Sequence, residues 1–411
     1  MFKKTKSIQS IYLYLILGNT LASSFIWGIN TIFLLDAGLS NFEAFAANSF
    51  FTLGQVLFEV PTGIVADAYG RRTSYLLGAI TLSLSTILYL FMWQIHGPFW
   101  GWALSSVILG LGFTFFSGAL EAWLVDALRA TKFKGSLEGV FAKGQMVGGI
   151  AMLTGSILGG IIAQFTNLGV PYILRALILF INFATAFFLM KDLGFKPKKT
   201  GDPIGDIRKI FMNSLKHGLK NPPVRWVMLA APFTTGVSFY VFYALQPFLL
   251  NLYGNAKAYS IAGLVAAIAA SAQIVGGFAA TKITKIFKKR TTILLFGTLL
   301  TALILILVSF VNNFWLALIL IFLWGMIFAV ILPARQTYLN GLIPSGQRAT
   351  VLSFDSLMGS SGGIFIQPTL GKVADVWNYP ASYLGASVIQ FLAIPFIYLS
   401  RKEKTKSDII K

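Results

Sequence analysis

The sequence predicts an all-α membrane protein whose twelve transmembrane helices form two halves of six. Three observations carry this expectation. Hydrophobic residues make up 56% of the 411 and charged residues only 11%, which leaves too little polar surface for a domain bathed in water. The chain breaks into about twelve apolar stretches of roughly 20 residues or more, each long enough to cross a bilayer core. Lys and Arg gather in alternate loops, the asymmetry that sets both termini in the cytoplasm.

The first-half spans fall at 10–35, 42–67, 73–95, 99–127, 138–165 and 168–190. Lys3, Lys4 and Lys6 precede the first span, whose apolar run is too long for a signal peptide and lacks a clear cleavage site. The second span carries Glu59, Gly63 and Asp67 at i, i+4 and i+8, so the three share one stripe. At its end, Gly63 would let a neighbouring helix approach, and Asp67 can pair with a cation or a helix amino terminus. Gly70 permits a tight turn, and Arg71 and Arg72 hold the loop on the cytoplasmic side. The fourth span holds Phe116, Glu121, Trp123 and Asp126; Glu121 and Asp126, five residues apart, point somewhat over 100° from each other. The fifth holds Lys143 and then Ala151, Gly155, Ser156, Gly159 and Gly160, small residues suited to close helix packing. In the outer half of the sixth, Arg175 either pairs or snorkels to the outer interface.

A basic linker follows, rich in proline, with Asp202-Pro203 as a cap and first-turn pair. Ile207, Ile210, Phe211, Leu215 and Leu219 then recur at helical spacing opposite Arg208, Lys209 and Lys216, as in an amphipathic helix lying at the interface or a solvated loop helix. The domain plan is therefore an N-terminal half over 1–190, a linker over 191–223, and a C-terminal half with a basic tail over 224–411. Second-half spans fall at 224–252, 258–284, 291–312, 314–341, 348–373 and 380–400. The seventh contributes Tyr240, Tyr243 and Gln246, the tenth Arg335 and Gln336, and the eleventh Asp355. The halves echo each other: Phe33-Leu34-Leu35-Asp36 matches Phe248-Leu249-Leu250-Asn251, and the spacing from Lys143 to Gly159 recurs from Asp355 to Gly371. Two six-helix units related by an axis along the membrane normal produce such an echo. The loop from Thr281 to Arg290 keeps the basic character of its counterpart but not the acid or the turn glycine.

The run Gly63-Ile64-Val65-Ala66-Asp67-Ala68-Tyr69-Gly70-Arg71-Arg72 fills every fixed position of GxxxDxxGRR. It resembles the signature between the second and third helices of the major facilitator superfamily. That resemblance implies a secondary transporter working by alternating access, with spans one, four, seven and ten lining a central cavity. It implies a conformational latch of Gly63, Asp67, Gly70, Arg71, Arg72 and Asp126, with Asp126 as partner of Arg71. It places the stripe of Glu59 against the eleventh helix, at the seam between the halves. An embedded carboxylate is costly as an ion, so Glu59 is the first choice for proton coupling, with Glu121 and Asp355 as the other candidates. The cavity candidates are Trp27, Asn30, Phe116, Glu121, Tyr240, Tyr243, Gln246, Arg335 and Gln336. The fifth span is similar to the GxxxGPxxGG motif of drug antiporters, with Ser156 in place of the proline; the likeness implies that Gly155, Gly159 and Gly160 pack it against helix eight.

Several function classes are excluded. The net charge of +19 is spread over alternate loops, so the expected partner is anionic lipid and not a nucleic acid. The chain has no cysteine and hence no thiolate chemistry. His96 and His217 lack metal-ligand spacing, and no GxxxxGK[ST] loop is present to cradle ATP. The protein reads as a non-enzyme with no metal and no cofactor, using the proton as coupling ion. It is expected as a monomer in the plasma or inner membrane. Its expected activity is proton-coupled efflux of lipophilic or cationic small molecules. The alternatives are transport of a small anionic metabolite through Lys143, Arg335 or Arg175, and lipid translocation.

Overall fold

The computed structural model describes residues 2–195, 205, 212, 218–344 and 348–410. The expected amphipathic linker helix and His217 therefore lie, Leu219 apart, outside the described residues. The first half contains α1 (Phe2–Trp27), α2 (Asn30–Asp36), α3 (Asn41–Tyr69), α4 (Arg71–Gln94), α5 (Phe99–Phe116), α6 (Ala119–Ala130), α7 (Leu137–Phe165) and α8 (Gly169–Leu189). The second contains α9 (Pro222–Tyr253), α10 (Tyr259–Ile286), α11 (Arg290–Phe310), α12 (Phe314–Leu342), α13 (Arg348–Val376), α14 (Tyr379–Phe391) and α15 (Ala393–Lys402). Among the described residues, 11 spans are long and apolar enough to cross a bilayer. The remaining predicted span is α13, whose 29 residues suffice in length while Asp355, Lys372 and the run Gly359-Ser360-Ser361-Gly362-Gly363 dilute its apolarity. The architecture is thus all-α, as lipid demands of a chain that must satisfy its own backbone.

Three predicted spans are broken. The first parts at Gly28 and Ile29, where Ile29 N–H closes a short turn onto Ile26 O at 3.1 Å. A Cβ at Gly28 would sit 2.8 Å from Gly263 Cα, so only glycine allows α10 to approach here. The fourth parts between α5 and α6 at Gly118, whose φ of 66° is left-handed. The twelfth parts at Leu392, three residues before Pro395, which has no N–H to offer Phe391 O.

The chain divides into two compact units. Unit 1 comprises Met1–Gly38, Phe50–Pro203 and Lys257–Ala267, and unit 2 comprises Leu39–Ser49, Ile204–Ala256 and Ile268–Lys411. In unit 1, α1, α4, α6 and α8 close over Leu15, Tyr75, Leu120, Trp123, Leu124 and Met190. Polar bonds lock this bundle: Tyr75 donates to Asn19 Oδ1 at 2.8 Å and Asn182 Nδ2 donates to the same oxygen at 2.7 Å. In unit 2, α9, α11, α12, α13 and α15 close over Val227, Met228, Leu294, Leu339, Val351 and Ile397. The carboxylate of Asp375, at the end of α13, accepts from the Asn41 and Phe42 amides at 2.9 and 2.8 Å, capping α3. Large apolar side chains such as Leu84, Ile87, Phe188, Phe278 and Phe310 remain exposed, as lipid-facing surface does and water-facing surface rarely does.

Candidate functional site

The GxxxDxxGRR run forms the turn from α3 to α4. Gly70 takes φ 105°, a conformation that glycine adopts without strain. Arg71 Nη2 pairs with Asp67 Oδ1 at 2.6 Å, one helical turn apart. This differs from the expected pairing of Arg71 with Asp126, and no ion pair between those two occurs among the described residues. The reason is the loop after α8, which lies over the end of α6. Trp123 Nε1 donates to Lys191 O at 2.8 Å, and a Cβ on Gly194 would stand 2.9 Å from Asp126 O. Asp192 is thereby set on the amide end of α4, accepting from Arg72 N at 2.9 Å, and its carboxylate occupies the space a Cβ on Gly70 would need. Arg72 Nη2 donates to Phe187 O at 2.7 Å, with the guanidinium over the Phe187 ring at 5.3 Å. Half-burial pushes the Asp192 carboxyl above its ordinary value, against the pull of the Arg72 amide and the Arg72 and Arg71 charges. Within unit 1, no atom outside its own helix backbone lies within 4 Å of where a Cβ on Gly63 would be.

Asp192 escaped the sequence reading, and so did its equivalent in unit 2. Asp408 Oδ1 accepts from Thr291 N at 2.7 Å and its Oδ2 from Thr291 Oγ1 at 2.9 Å. Arg290, the first residue of α11, donates to Ser407 O at 2.6 Å and Ile409 O at 2.8 Å. Each half thus closes with an acid that caps the second amide of its third span, across separations of 120 and 117 residues. An acid just past the last span of each half was the available signal.

The three candidate acids have unlike surroundings. Glu59 is half-buried and accepts from Ser117 Oγ at 2.7 Å, at the break between α5 and α6. Glu121 is half-buried in the first turn of α6, where the helix amino terminus favours negative charge. Asp355 is 6% exposed and gripped by Arg335, whose Nη1 and Nη2 each donate to it at 2.6 Å. Bidentate pairs of this kind are the strongest of the charged hydrogen bonds. Two of the expected site residues, one from the acids and one from the cavity set, therefore meet each other.

The other cavity candidates are mostly packed. Asn30 is buried and accepts from Tyr172 at 3.1 Å. Tyr240 is buried beside Ser382, its hydroxyl partner, and Gln246 is buried nearby in α9. Trp27, Phe116 and Tyr243 are half-buried, and Phe116 stacks on Tyr75 at 4.6 Å. Gln336 and Lys143 are exposed. Arg175 does not snorkel: it is 2% exposed, its Nε donates to Thr86 Oγ1 at 3.1 Å, and its guanidinium lies over Phe113 at 6.0 Å. The helix-packing glycines split their task. Gly155 faces Ser24 and Gly159 faces the Phe25 backbone, both on α1, while Gly160 faces Tyr259 and Gly263 of α10, the eighth span. Only one of the three packs as expected, because α7 turns two successive rows of small residues toward different neighbours.

A cavity of about 70 Å³ lies inside unit 2, between α9, α11, α12 and the broken twelfth span. Thr234, Thr235, Thr298, Arg335 and Gln390 give it polar walls.

A sequence profile of the Major Facilitator Superfamily matches residues 13–367 and 257–411. The chain is 24% identical over 390 residues to the uncharacterized MFS-type transporter YxaM of Bacillus subtilis, covering 87% of each. It is 26% identical over 347 residues to the multidrug resistance protein MdtG of Proteus mirabilis, covering 82% of this chain and 80% of that one. The fold is similar to that of the nucleoside transporter NupG, with a TM-score of 0.77 at 13% identity over 96% of this chain and 99% of that one. It is likewise similar to a bacterial homolog of the human lysosomal transporter Spinster, with a TM-score of 0.71 at 17% identity over 99% and 98%. With its complete signature, its all-helical halves and a profile match running almost end to end, the chain belongs to the major facilitator superfamily of membrane transporters.

Proposed function

We propose that this transporter exports lipophilic, cationic small molecules across the cell membrane in exchange for protons, as a monomer with both termini in the cytoplasm. The similarity to MdtG, a multidrug resistance protein, supports the substrate class. The single observation that carries the coupling is the Arg335–Asp355 pair, in which the acid is buried and the arginine half-buried. A proton on Asp355 would neutralise one partner and strand the other, and an unpaired cation inside a span is costly. Helix arrangements that hydrate or re-pair Arg335 would then gain in population, because a ligand shifts an equilibrium by its differential affinity for the states. Glu59 and Glu121 serve in the same reading as acids at the α5–α6 break, where a substrate cation would find them half-exposed. Arg335 is engaged by Asp355, which weighs against the reading in which that cation receives an anionic metabolite.

The test is transport in proteoliposomes under an imposed pH gradient, with tetraphenylphosphonium and a panel of small organic anions. Wild type is compared with Asp355→Asn and Glu59→Gln. Gradient-driven cation movement that Asp355→Asn abolishes supports the proposal. If Glu59→Gln alone uncouples, the proton site moves to Glu59; anion movement, or none, overturns the substrate class.

A further inference from the structure

The connection from α10 to α11 carries Lys282, Lys285, Lys288 and Lys289, all of them exposed. It is the second-half counterpart of the GxxxDxxGRR turn, and its charges are used differently. In the first half Arg71 pairs with Asp67 and Arg72 binds the Phe187 carbonyl. Among the described residues, no carboxylate lies within ion-pair distance of any of the four lysines. Asp408, the acid that caps α11, is buried and engaged by the Thr291 amide and hydroxyl. Lys289 itself stands at the N-cap of α11, where the helix dipole disfavours positive charge. The connection thus holds four cations that no described carboxylate of its unit neutralises.

The apolar neighbours narrow the kind of anion that fits. α10 has 28 residues, or about 42 Å at 1.5 Å each, whereas the apolar core of a bilayer is about 30 Å thick. Its last turn therefore reaches the headgroup layer. Lys282 and Ile286 share one stripe of that turn at i and i+4, with Lys285 beside them. Ile286 is 77% exposed, and Ile409, which forms a β-bridge with Lys289, is 55% exposed. Cations interleaved with exposed isoleucines suit a molecule with an anionic head and an apolar body, and suit a soluble polyanion poorly. The backbone is held in place by the tail: Ile410 N donates to Lys288 O at 3.1 Å, and Ile410 packs with Phe287 against Ala280, Ile293 and Ala334. A surface held in this way loses less freedom on binding.

We propose that this connection is a binding site for anionic phospholipid, with Lys282, Lys285, Lys288 and Lys289 receiving the phosphate and Ile286 and Ile409 lying among the upper acyl carbons. The inference stands apart from the substrate and the coupling proposed above. Basic clusters of this size at the end of a span attract anionic lipid by about a factor of five per lysine.

The test uses the full-length protein in neutral detergent, titrated with phosphatidylglycerol or phosphatidylcholine, with bound lipid counted by native mass spectrometry. Wild type should bind phosphatidylglycerol at lower mole fraction than phosphatidylcholine, and equal binding of the two overturns the site. Changing all four lysines to Gln should raise the half-saturating mole fraction of phosphatidylglycerol about 25-fold, taking two lysines per headgroup, and leave phosphatidylcholine unchanged. Arg at the same four positions should keep the wild-type value. A control set of Lys132→Gln, Lys134→Gln, Lys402→Gln and Lys404→Gln removes the same charge from exposed positions elsewhere and should change little. Equal loss in the control set would reduce the effect to net charge and overturn the site, as would undiminished phosphatidylglycerol binding in the fourfold Gln variant. Glycerophosphoglycerol, the headgroup without acyl chains, should fail to displace the lipid at equal concentration. Displacement would assign the lysines to soluble anions and refute a lipid occupant.

Discussion

Replacing Asp408 with alanine removes the carboxylate that holds α11 by its amide end. The side chain is 3% exposed, and it satisfies Thr291 N at 2.7 Å and Thr291 Oγ1 at 2.9 Å. Loss of a helix cap costs about 0.5–2 kcal/mol, and leaving the buried Thr291 groups unpaired adds about 1 kcal/mol or more. The sum is about 1.5–3 kcal/mol. At about 2–4 °C per kcal/mol for a unit of this size, Asp408→Ala should lower the unfolding midpoint by about 3–12 °C. Thermal unfolding of the full chain in detergent, followed by tryptophan fluorescence, measures the shift. Asp408→Asn keeps an oxygen for the Thr291 amide and should fall much less. A wild-type midpoint in the alanine variant would refute the claim that the tail clamps α11. Equal drops in both variants would assign the effect to charge and not to the cap.

Three further outcomes follow from the packing and the ion pairs. Asp355→Asn leaves Arg335 without its counter-charge and should cost about 3–5 kcal/mol in denaturant unfolding, whereas the double change Asp355→Leu with Arg335→Met should recover most of that loss. Gly159→Val drives a Cβ into the Phe25 carbonyl and should cost about 1–3 kcal/mol or prevent folding. Gly63→Ala meets open space and should stabilise by about 0.5–1 kcal/mol; the reverse ranking of these two glycines would discredit the α1–α7 contact. The raised value of Asp192 means that the folded unit holds its proton more tightly than the unfolded chain. That stabilisation is fully present below the ordinary carboxylate value and is lost as pH rises through the raised one. Asp192→Asn should flatten this slope in midpoints measured from about pH 4 to pH 7, and an unchanged slope would place the titration elsewhere.

Much of the fold was legible because lipid imposes a local code. A span is read as a run of apolar residues long enough to cross the bilayer. The breaks were harder to see. Gly28 and Gly118 lie inside apolar stretches, and only the approach of α10 to one and the left-handed backbone of the other give them structural meaning. For the same reason Gly155 and Gly159 were assigned to a neighbour they do not touch, since a row of small residues announces close packing without saying what packs.

The sequence by itself determined the class of protein, the places of its apolar spans, and the turn chemistry of Gly70, Arg71 and Arg72. Each of these depends on residues within one span or one turn. The tertiary structure decided which charges meet. Arg71 turns to Asp67, the α4 amides to Asp192, Thr291 to Asp408, and Arg335 to Asp355. The carboxylate caps join residues more than a hundred positions apart. A charge does not encode its partner in its neighbours; the packed bundle selects that partner by bringing one group within bonding distance and withholding water from both.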